Sequence, residues 1–277
     1  PTDNIHDAET FVIGGYFPNT NNGFNGLIDE VMVFKRELTS GDITDLHDNT
    51  RECVDSCYSD PVAVYQMDET TWSGISVFDS SGNGYNGESL HGAETTPDGK
   101  ICRGGAFTDS GDHDINDRVK LPYQAANGLQ DFTVSVWIKT GKNGAQAIIS
   151  GANNPQNNEF LIYFPNGSTI STYLKGPYHS YGASIANGAW HHIVWMREDD
   201  RENLYLDGTS LGSNTVSGSP VYISPNGLYL ASEQDSVGGT WDNSQEFVGT
   251  MDEVKIYDRA LSDNEINALF EEDHACN

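Results

Sequence analysis

Apolar and polar residues alternate with a period of two through most of this chain, the repeat of a β-strand with one face buried. The clearest run is Phe132-Thr-Val-Ser-Val-Trp-Ile138, where Phe132, Val134, Val136 and Ile138 share one face. Shorter runs cover residues 62–68, 146–150, 160–164, 169–174, 190–197, 203–206 and 228–231. Asn, Gly and Pro turns separate them, and Asp207-Gly208 is a hairpin signal. About a dozen short strands of this kind predict an all-β fold, two antiparallel sheets packed as a sandwich or jelly roll. Near the C-terminus the period switches. Residues 247–257 alternate, with Asp252, Val254 and Ile256 expected on one face. Ser262 then offers an N-cap, Glu265 completes a capping box, and Leu261 with Ile266 forms a hydrophobic staple. A strand is therefore expected to run into a short C-terminal helix.

The same pattern occurs earlier without gaps. Residues 24–46 align with 247–269, Asp29 falling on Asp252, Leu38 on Leu261 and Ile43 on Ile266. A repeat at this spacing is domain-sized. It predicts that residues 1–52 are the strand-helix tail of a preceding repeat, 53–60 a linker, and 61–277 a complete domain. In the tail, Ile28, Met32 and Phe34 alternate with Val31 and Val33, so both faces of the strand are apolar. Such a strand needs covering. The expectation is contact with a neighbouring repeat or another copy of the chain.

Charge narrows the partners. The 277 residues carry 14 Lys and Arg against 41 Asp and Glu, a formal charge of −27. This field repels nucleic acid and anionic membranes and attracts divalent cations. No apolar run approaches the roughly 20 residues of a membrane span. Four cysteines, Cys53, Cys57, Cys102 and Cys276, stand near the predicted domain ends. Their spacing is not that of a zinc site, so disulfides in an oxidising, extracellular or cell-surface setting are expected. Three pairings are possible, with Cys53–Cys57 and Cys102–Cys276 preferred. The start at Pro1 is that expected of a processed or excised piece of a longer protein.

Five segments in order carry a resemblance: the loop Asp79-Ser-Ser-Gly-Asn-Gly84, Phe132–Ile138, Trp190-His-His-Ile-Val194, Leu204-Tyr-Leu-Asp-Gly208 and Met251–Ser262. Together they resemble a LamG-like module of the concanavalin A-like lectin/glucanase group. The resemblance implies a two-sheet jelly roll and a place in extracellular, often tandem, bacterial surface proteins. It also implies relatives that bind carbohydrate or Ca²⁺.

Several residues are candidates for chemistry. The loop around Asp79, Asn83, Gly84 and Asn86 offers the carboxylate, amide and carbonyl oxygens that Ca²⁺ prefers. The family arrangement implies that Asp252 joins them; an Asx-turn at Asp79 is the plainer alternative. Catalysis is not expected. Glycosidases need two carboxylates facing across a gap of about 5–9 Å, and no strand here carries the Glu-x-Asp-x-x-Glu pattern of glucanases with this fold. His191 and His192 diverge onto opposite faces of their strand, and a single inward histidine is expected to be a satisfied interior residue rather than a base. Tyr178, Tyr181, Trp241 and Asn243 supply the aromatic faces and amide that suit a sugar ring. The expected function is a non-catalytic, Ca²⁺-binding recognition or adhesion module of a secreted or cell-surface repeat protein, its ligand a glycan or surface protein. The alternative is a carbohydrate-binding module of a polysaccharide-degrading enzyme.

Overall fold

Short alternating runs need a facing surface to bury their apolar side, and here each finds one in a second sheet. The computed structural model describes residues 39–40, 61–72, 76–109, 116–154, 158–241 and 244–276, and the chain divides into two compact units, Pro1–Glu52 and Cys53–Asn277. The architecture below is that of the second unit. Three expectations lie outside the described residues: the repeat tail and its contacts, the Cys53–Cys57 bridge, and the position of Asn243.

In chain order the strands are β1 (Ala63–Tyr65), β2 (Ser76–Val77), β3 (Gly87–Leu90), β4 (Glu94–Thr96), β5 (Gly104–Phe107), β6 (Arg118–Leu121), β7 (Phe132–Lys139), β8 (Gln146–Gly151) and β9 (Phe160–Asn166). There follow β10 (Thr169–Leu174), β11 (Tyr178–Gly182), β12 (Trp190–Glu198), β13 (Arg201–Leu206), β14 (Thr209–Thr215), β15 (Leu228–Leu230), β16 (Gln234–Ser236), β17 (Gly239–Trp241) and β18 (Gly249–Tyr257), and then helix α1 (Asp263–Phe270). One sheet runs β14-β13-β12-β7-β18-β5-β4, with β1 paired to β18 on the edge that β5 also uses. The other runs β11-β10-β9-β8-β15-β6-β3-β2, and β16-β17 form a separate hairpin. All pairings are antiparallel. The protein is thus an all-β sandwich with one short C-terminal helix among the described residues.

The core lies between the inner faces. Phe132 and Trp195 from the first sheet meet Phe160 from the second, with ring centroids 4.8–5.2 Å apart. Phe132, Val134, Val136 and Ile138 all point inward, as their alternation requires. A buried carboxylate sits beside this cluster. Glu202 on β13 accepts from Trp195 Nε1 at 2.7 Å on one oxygen. Its other oxygen faces the Thr172 hydroxyl at 2.8 Å, His179 Nδ1 at 2.6 Å and the Tyr181 hydroxyl at 3.1 Å, all from the second sheet.

The outer face of the first sheet is also covered. Val194, Met196, Tyr205, Tyr257, Leu261 and Ile266 form a second apolar cluster under α1. Ser262 caps the helix and closes the capping box with Glu265. Trp137 stacks on Phe270 at 5.5 Å and on His192 at 4.9 Å. His192 is buried, its Nε2 lying 2.8 Å from the Ser135 hydroxyl. Beyond the helix the tail is tied down twice. A disulfide joins Cys102 to Cys276. His274 Nε2 lies 2.8 Å from Glu253 Oε1. Burial alone would depress the His274 pKa, but the Glu253 contact and the Asp68 charge outweigh it and leave it raised.

One strand departs from its expected phase. Met251 pairs with inward Ile138, Asp252 with outward Trp137, Lys255 with outward Ser135 and Ile256 with inward Val134. The register slips between Asp252 and Lys255, where Glu253 takes φ 49°. This β-bulge inserts one residue and reverses the alternation. Asp252 therefore faces away from Val254 and Ile256, not with them.

Glu202→Leu should cost about 3 kcal/mol or more in urea unfolding, because each donor left dry loses about 1–3 kcal/mol; a change within error would show that the donors find other partners. Burial depresses the His192 pKa from 6.5 to about 4, partly opposed by the Asp207 charge. Between those values the unfolded chain binds more protons, so stability falls as pH drops through the window. Acidification from about pH 6.5 to about pH 4 should destabilise the native chain relative to His192→Gln by up to about 3 kcal/mol, read from paired melts.

Candidate binding face

The loop that follows β2 is built around Asp79. Its Oδ1 accepts from Val64 N at 3.0 Å and Ser81 N at 2.9 Å, and its Oδ2 from Tyr85 N at 2.9 Å. Asn86 Oδ1 accepts from Asp79 N at 2.8 Å, and Asn83 Nδ2 donates to Val62 O at 3.0 Å. Gly82 and Gly84 take φ of 87° and 77°, conformations open to glycine at little cost. Burial opposes ionisation of Asp79, yet the N–H donors hold its pKa below the usual carboxylate range.

Asp252 has a different set of partners. Its Oδ2 accepts from Lys100 N at 2.7 Å and Ile101 N at 2.9 Å, and its Oδ1 from Glu253 N at 2.9 Å. Burial pushes its pKa up to about 8 against the pull of these donors. Asp79 and Asp252 thus serve separate backbone segments. Each turns its oxygens toward three N–H groups, where a Ca²⁺ shell calls for oxygens turned toward an ion. With their oxygens so engaged, Asp79 has the hydrogen bonding of an Asx-turn and Asp252 that of a buried backbone anchor. Asp68, Cys102 and His274 also bring ligand-type atoms within 4.8 Å of one another, but Cys102 is committed to its disulfide.

The aromatic candidates separate by strand parity. Tyr178 and Tyr181, both offered by the sequence for a sugar ring, lie three residues apart on β11 and face opposite ways. Tyr181 is buried, its hydroxyl on Glu202 and accepting from Asn214 Nδ2 at 2.8 Å, and so presents no ring to solvent. Tyr178 is 49% exposed on the outer face of the second sheet. Two residues not singled out by sequence join it there. The Tyr173 ring lies 5.0 Å from that of Tyr178, and the Tyr163 ring 6.4 Å. The pairing Tyr173↔Tyr178 places them on neighbouring strands. The alternation in 160–164 is the signal that could have found Tyr163, on the side opposite Phe160, Ile162 and Phe164, but its neighbour across the sheet is not readable locally. Burial raises the Tyr178 pKa, the Glu233 charge and the neighbouring Tyr173 and Tyr163 add to the rise, and the Asn158 side chain opposes it.

The β16-β17 hairpin crosses the same face. Gln234 Nε2 donates to Gly227 O at 2.9 Å, and Gln234 Oε1 accepts from Gly238 N at 2.8 Å. Trp241 is half-buried on the far side, 4.8 Å from the Tyr229 ring and 3.8 Å from the Arg118 guanidinium. Beyond it a depression of about 290 Å³ is lined by Asn86, Glu88, Lys120, Tyr123, Pro225 and Asn226 among others. The outer face therefore has an aromatic half around Tyr178 and a polar half around Trp241.

Comparison with known proteins adds relatives to this geometry. The family model of the concanavalin A-like lectin/glucanases superfamily matches residues 112–267. Neuronal pentraxin-2 of Mus musculus is 31% identical over 142 residues, covering 50% of this chain and 33% of the pentraxin. C-reactive protein of Rattus norvegicus is 28% identical over 154 residues, covering 55% of this chain and 67% of that protein. The chain spans about a third of the length of the neuronal pentraxins it matches. These relatives are mammalian pentraxins, where the sequence resemblance implied bacterial repeat proteins. Domain 4 of the extracellular arabinanase AbnA from Geobacillus stearothermophilus, in complex with arabinotriose, is similar with TM-score 0.56 and 21% identity over 76% of this chain and 97% of that one. The binding domain of botulinum neurotoxin DC, in complex with rat synaptotagmin II, gives 0.58 and 14% over 76% and 51%. At these identities the two structures share the fold alone.

Asp79→Ala should lower stability by about 1–3 kcal/mol, the cost of stranding its donors, and by the same amount in EDTA as in millimolar Ca²⁺. A loss seen only with Ca²⁺ present would return the loop to the metal.

Proposed function

The chain belongs to the concanavalin A-like lectin/glucanases superfamily, and from that premise we propose that it is a non-catalytic module that recognises a glycan outside the cell, serving recognition or adhesion. The observation that carries this reading is the grouping of Tyr163, Tyr173 and Tyr178 on the outer face of the second sheet. Sugar rings present C–H faces that pack on aromatic rings, while amides and carboxylates take their hydroxyls. The Asn158 side chain, beside Tyr178, supplies an amide. A disulfide supports an oxidising compartment. No helix among the described residues is long and apolar enough to cross a membrane. Recognition on this face needs no calcium at the Asp79 loop, and none is assigned there.

Calorimetry with arabinotriose, backed by a glycan array, tests the site. Tyr178→Ala should weaken binding of the best glycan at least about tenfold, the scale of one stacked ring at about 1.4 kcal/mol, without shifting the melting temperature. Trp241→Ala should bind as the native chain does. Unchanged binding in Tyr178→Ala with loss in Trp241→Ala would move the site to the polar half; no glycan bound at millimolar concentration would remove the proposal.

A further inference from the structure

The tip of the β9-β10 hairpin carries a group that its turn does not need. Asn166 closes β9, Thr169 opens β10, and the two pair across a loop of Gly167 and Ser168. Asn166 Oδ1 accepts from Ser168 N and from Ser168 Oγ, each at 2.9 Å. A backbone N–H can only donate, so Ser168 fixes which end of the amide faces the turn. Asn166 Nδ2 is therefore directed elsewhere, and it donates to none of the described residues. An aspartate would accept both bonds equally well. In a chain with 41 Asp and Glu, the unused nitrogen is what sets this side chain apart.

The tip is exposed yet held. Asn166 and Ser168 are open to solvent, and Gly167 between them is buried. Gly167 N donates to Asn143 Oδ1 at 3.0 Å, and Gly167 O accepts from Ile185 N at 3.1 Å and Ala186 N at 3.2 Å. Ser168 O accepts from Ala183 N at 2.9 Å. A Cβ at position 167 would meet the Ala186 Cβ at 2.5 Å and Asn143 Oδ1 at 2.6 Å, so packing explains the glycine. It does not explain the residues on either side. Asn166-Gly-Ser168 is the one place in the 277 residues where Asn, any residue but Pro, and Ser or Thr follow in that order. That triplet is the acceptor of N-linked glycosylation and belongs on a surface loop of a secreted protein. The Cys102–Cys276 disulfide supports passage through an oxidising compartment.

We propose that Asn166 is a site of covalent N-glycosylation, with a lipid diphosphate-linked oligosaccharide as the donor and an oligosaccharide transferase of the secretory route as the catalyst. Nδ2 bonds to C1 of the first sugar. The C1–O bond to the diphosphate breaks, the lipid diphosphate leaves with that electron pair, and one amide proton passes to a base of the transferase. The amide keeps its oxygen, so both Ser168 contacts survive the modification. The sugar chain then stands on a tip whose backbone is fixed. Tyr173 and Tyr178 pair four residues along β10 from Thr169, roughly 13 Å away along the strand, so the attachment point lies beside the tyrosine face and not on it. The inference rests on the extracellular part of the proposed function and not on its glycan ligand.

The test is secretion of the full chain from a eukaryotic cell line, followed by digestion with peptide-N-glycosidase and peptide mass spectrometry. The native chain should lose mass on digestion, with aspartate left at position 166. Asn166→Asp should carry no sugar and should melt within error of the digested native chain, because its carboxylate still accepts from Ser168. Ser168→Ala should also carry none, while Ser168→Thr should keep it; this pair carries the test if Asn166→Asp fails to fold. A secreted native chain of unmodified mass overturns the proposal and leaves Asn166 as a turn residue. So does a sugar that persists in Asn166→Asp and Ser168→Ala. Arabinotriose titrated into the digested chain reports on the tyrosine face alone, so the two proposals fail separately.

Discussion

The structure turns on one buried carboxylate. Glu202 stands at the seam of the two sheets, and four side chains from β10, β11 and β12 point at it. A charge so placed is tolerable only when its donors are complete, so it fixes which residues of β11 face inward. His179 and Tyr181 must point to Glu202, and strand parity then sends Tyr178 and Ser180 outward. The exposed tyrosine face is thus the reverse side of an interior electrostatic requirement. A one-residue slip of β11 would expose His179 and bury Tyr178, dismantling both at once.

The first sheet solves a different problem. Its outer face has no second sheet, and α1 with the tail covers it instead. Trp137, His192 and Phe270 stack there, and the bulge at Glu253 turns Asp252 toward the same side. Lys255 forms ion pairs with Glu253 and Glu272, so the charges of the bulge find partners in the strand and the tail. Phase reversal in β18 and closure of the tail are parts of one arrangement. The two outer faces have accordingly diverged: one is covered by α1 and the tail, the other leaves Tyr178 exposed.

Much of this was legible in the chain. The alternation in residues 132–138 gave the inward set of β7 correctly, and the Ser262–Glu265 box with its Leu261–Ile266 staple marked the helix start and its packing side. Local signals of that kind lie within a few residues. The bulge was not legible, because a single inserted residue leaves the pattern of β18 intact and appears only in its pairing with β7. Glu202 was missed for a related reason. Its partners lie 7 to 30 residues away and reach it only once both sheets are assembled. Tyr178-His-Ser-Tyr181 is missing from the predicted strands because its polar residues hid a strand whose inward side is itself polar. Asp79, offered by the sequence as a Ca²⁺ ligand or an Asx-turn residue, accepts hydrogen bonds from Val64, Ser81 and Tyr85 N–H groups.

The bridge between Cys102 and Cys276 has a mechanical meaning. Cys102 lies just ahead of β5, and β5 and β1 occupy the same edge of β18. A pull applied beyond Cys276 enters the fold at Cys102 and bypasses α1 and the residues between, which would otherwise peel off first. A pull applied ahead of β1 arrives on the neighbouring stretch of that edge. Tension across the module therefore runs along one border of the first sheet, and the sheet that carries Tyr163, Tyr173 and Tyr178 stays out of the load path. Under such a pull the face proposed to hold a glycan would keep its shape.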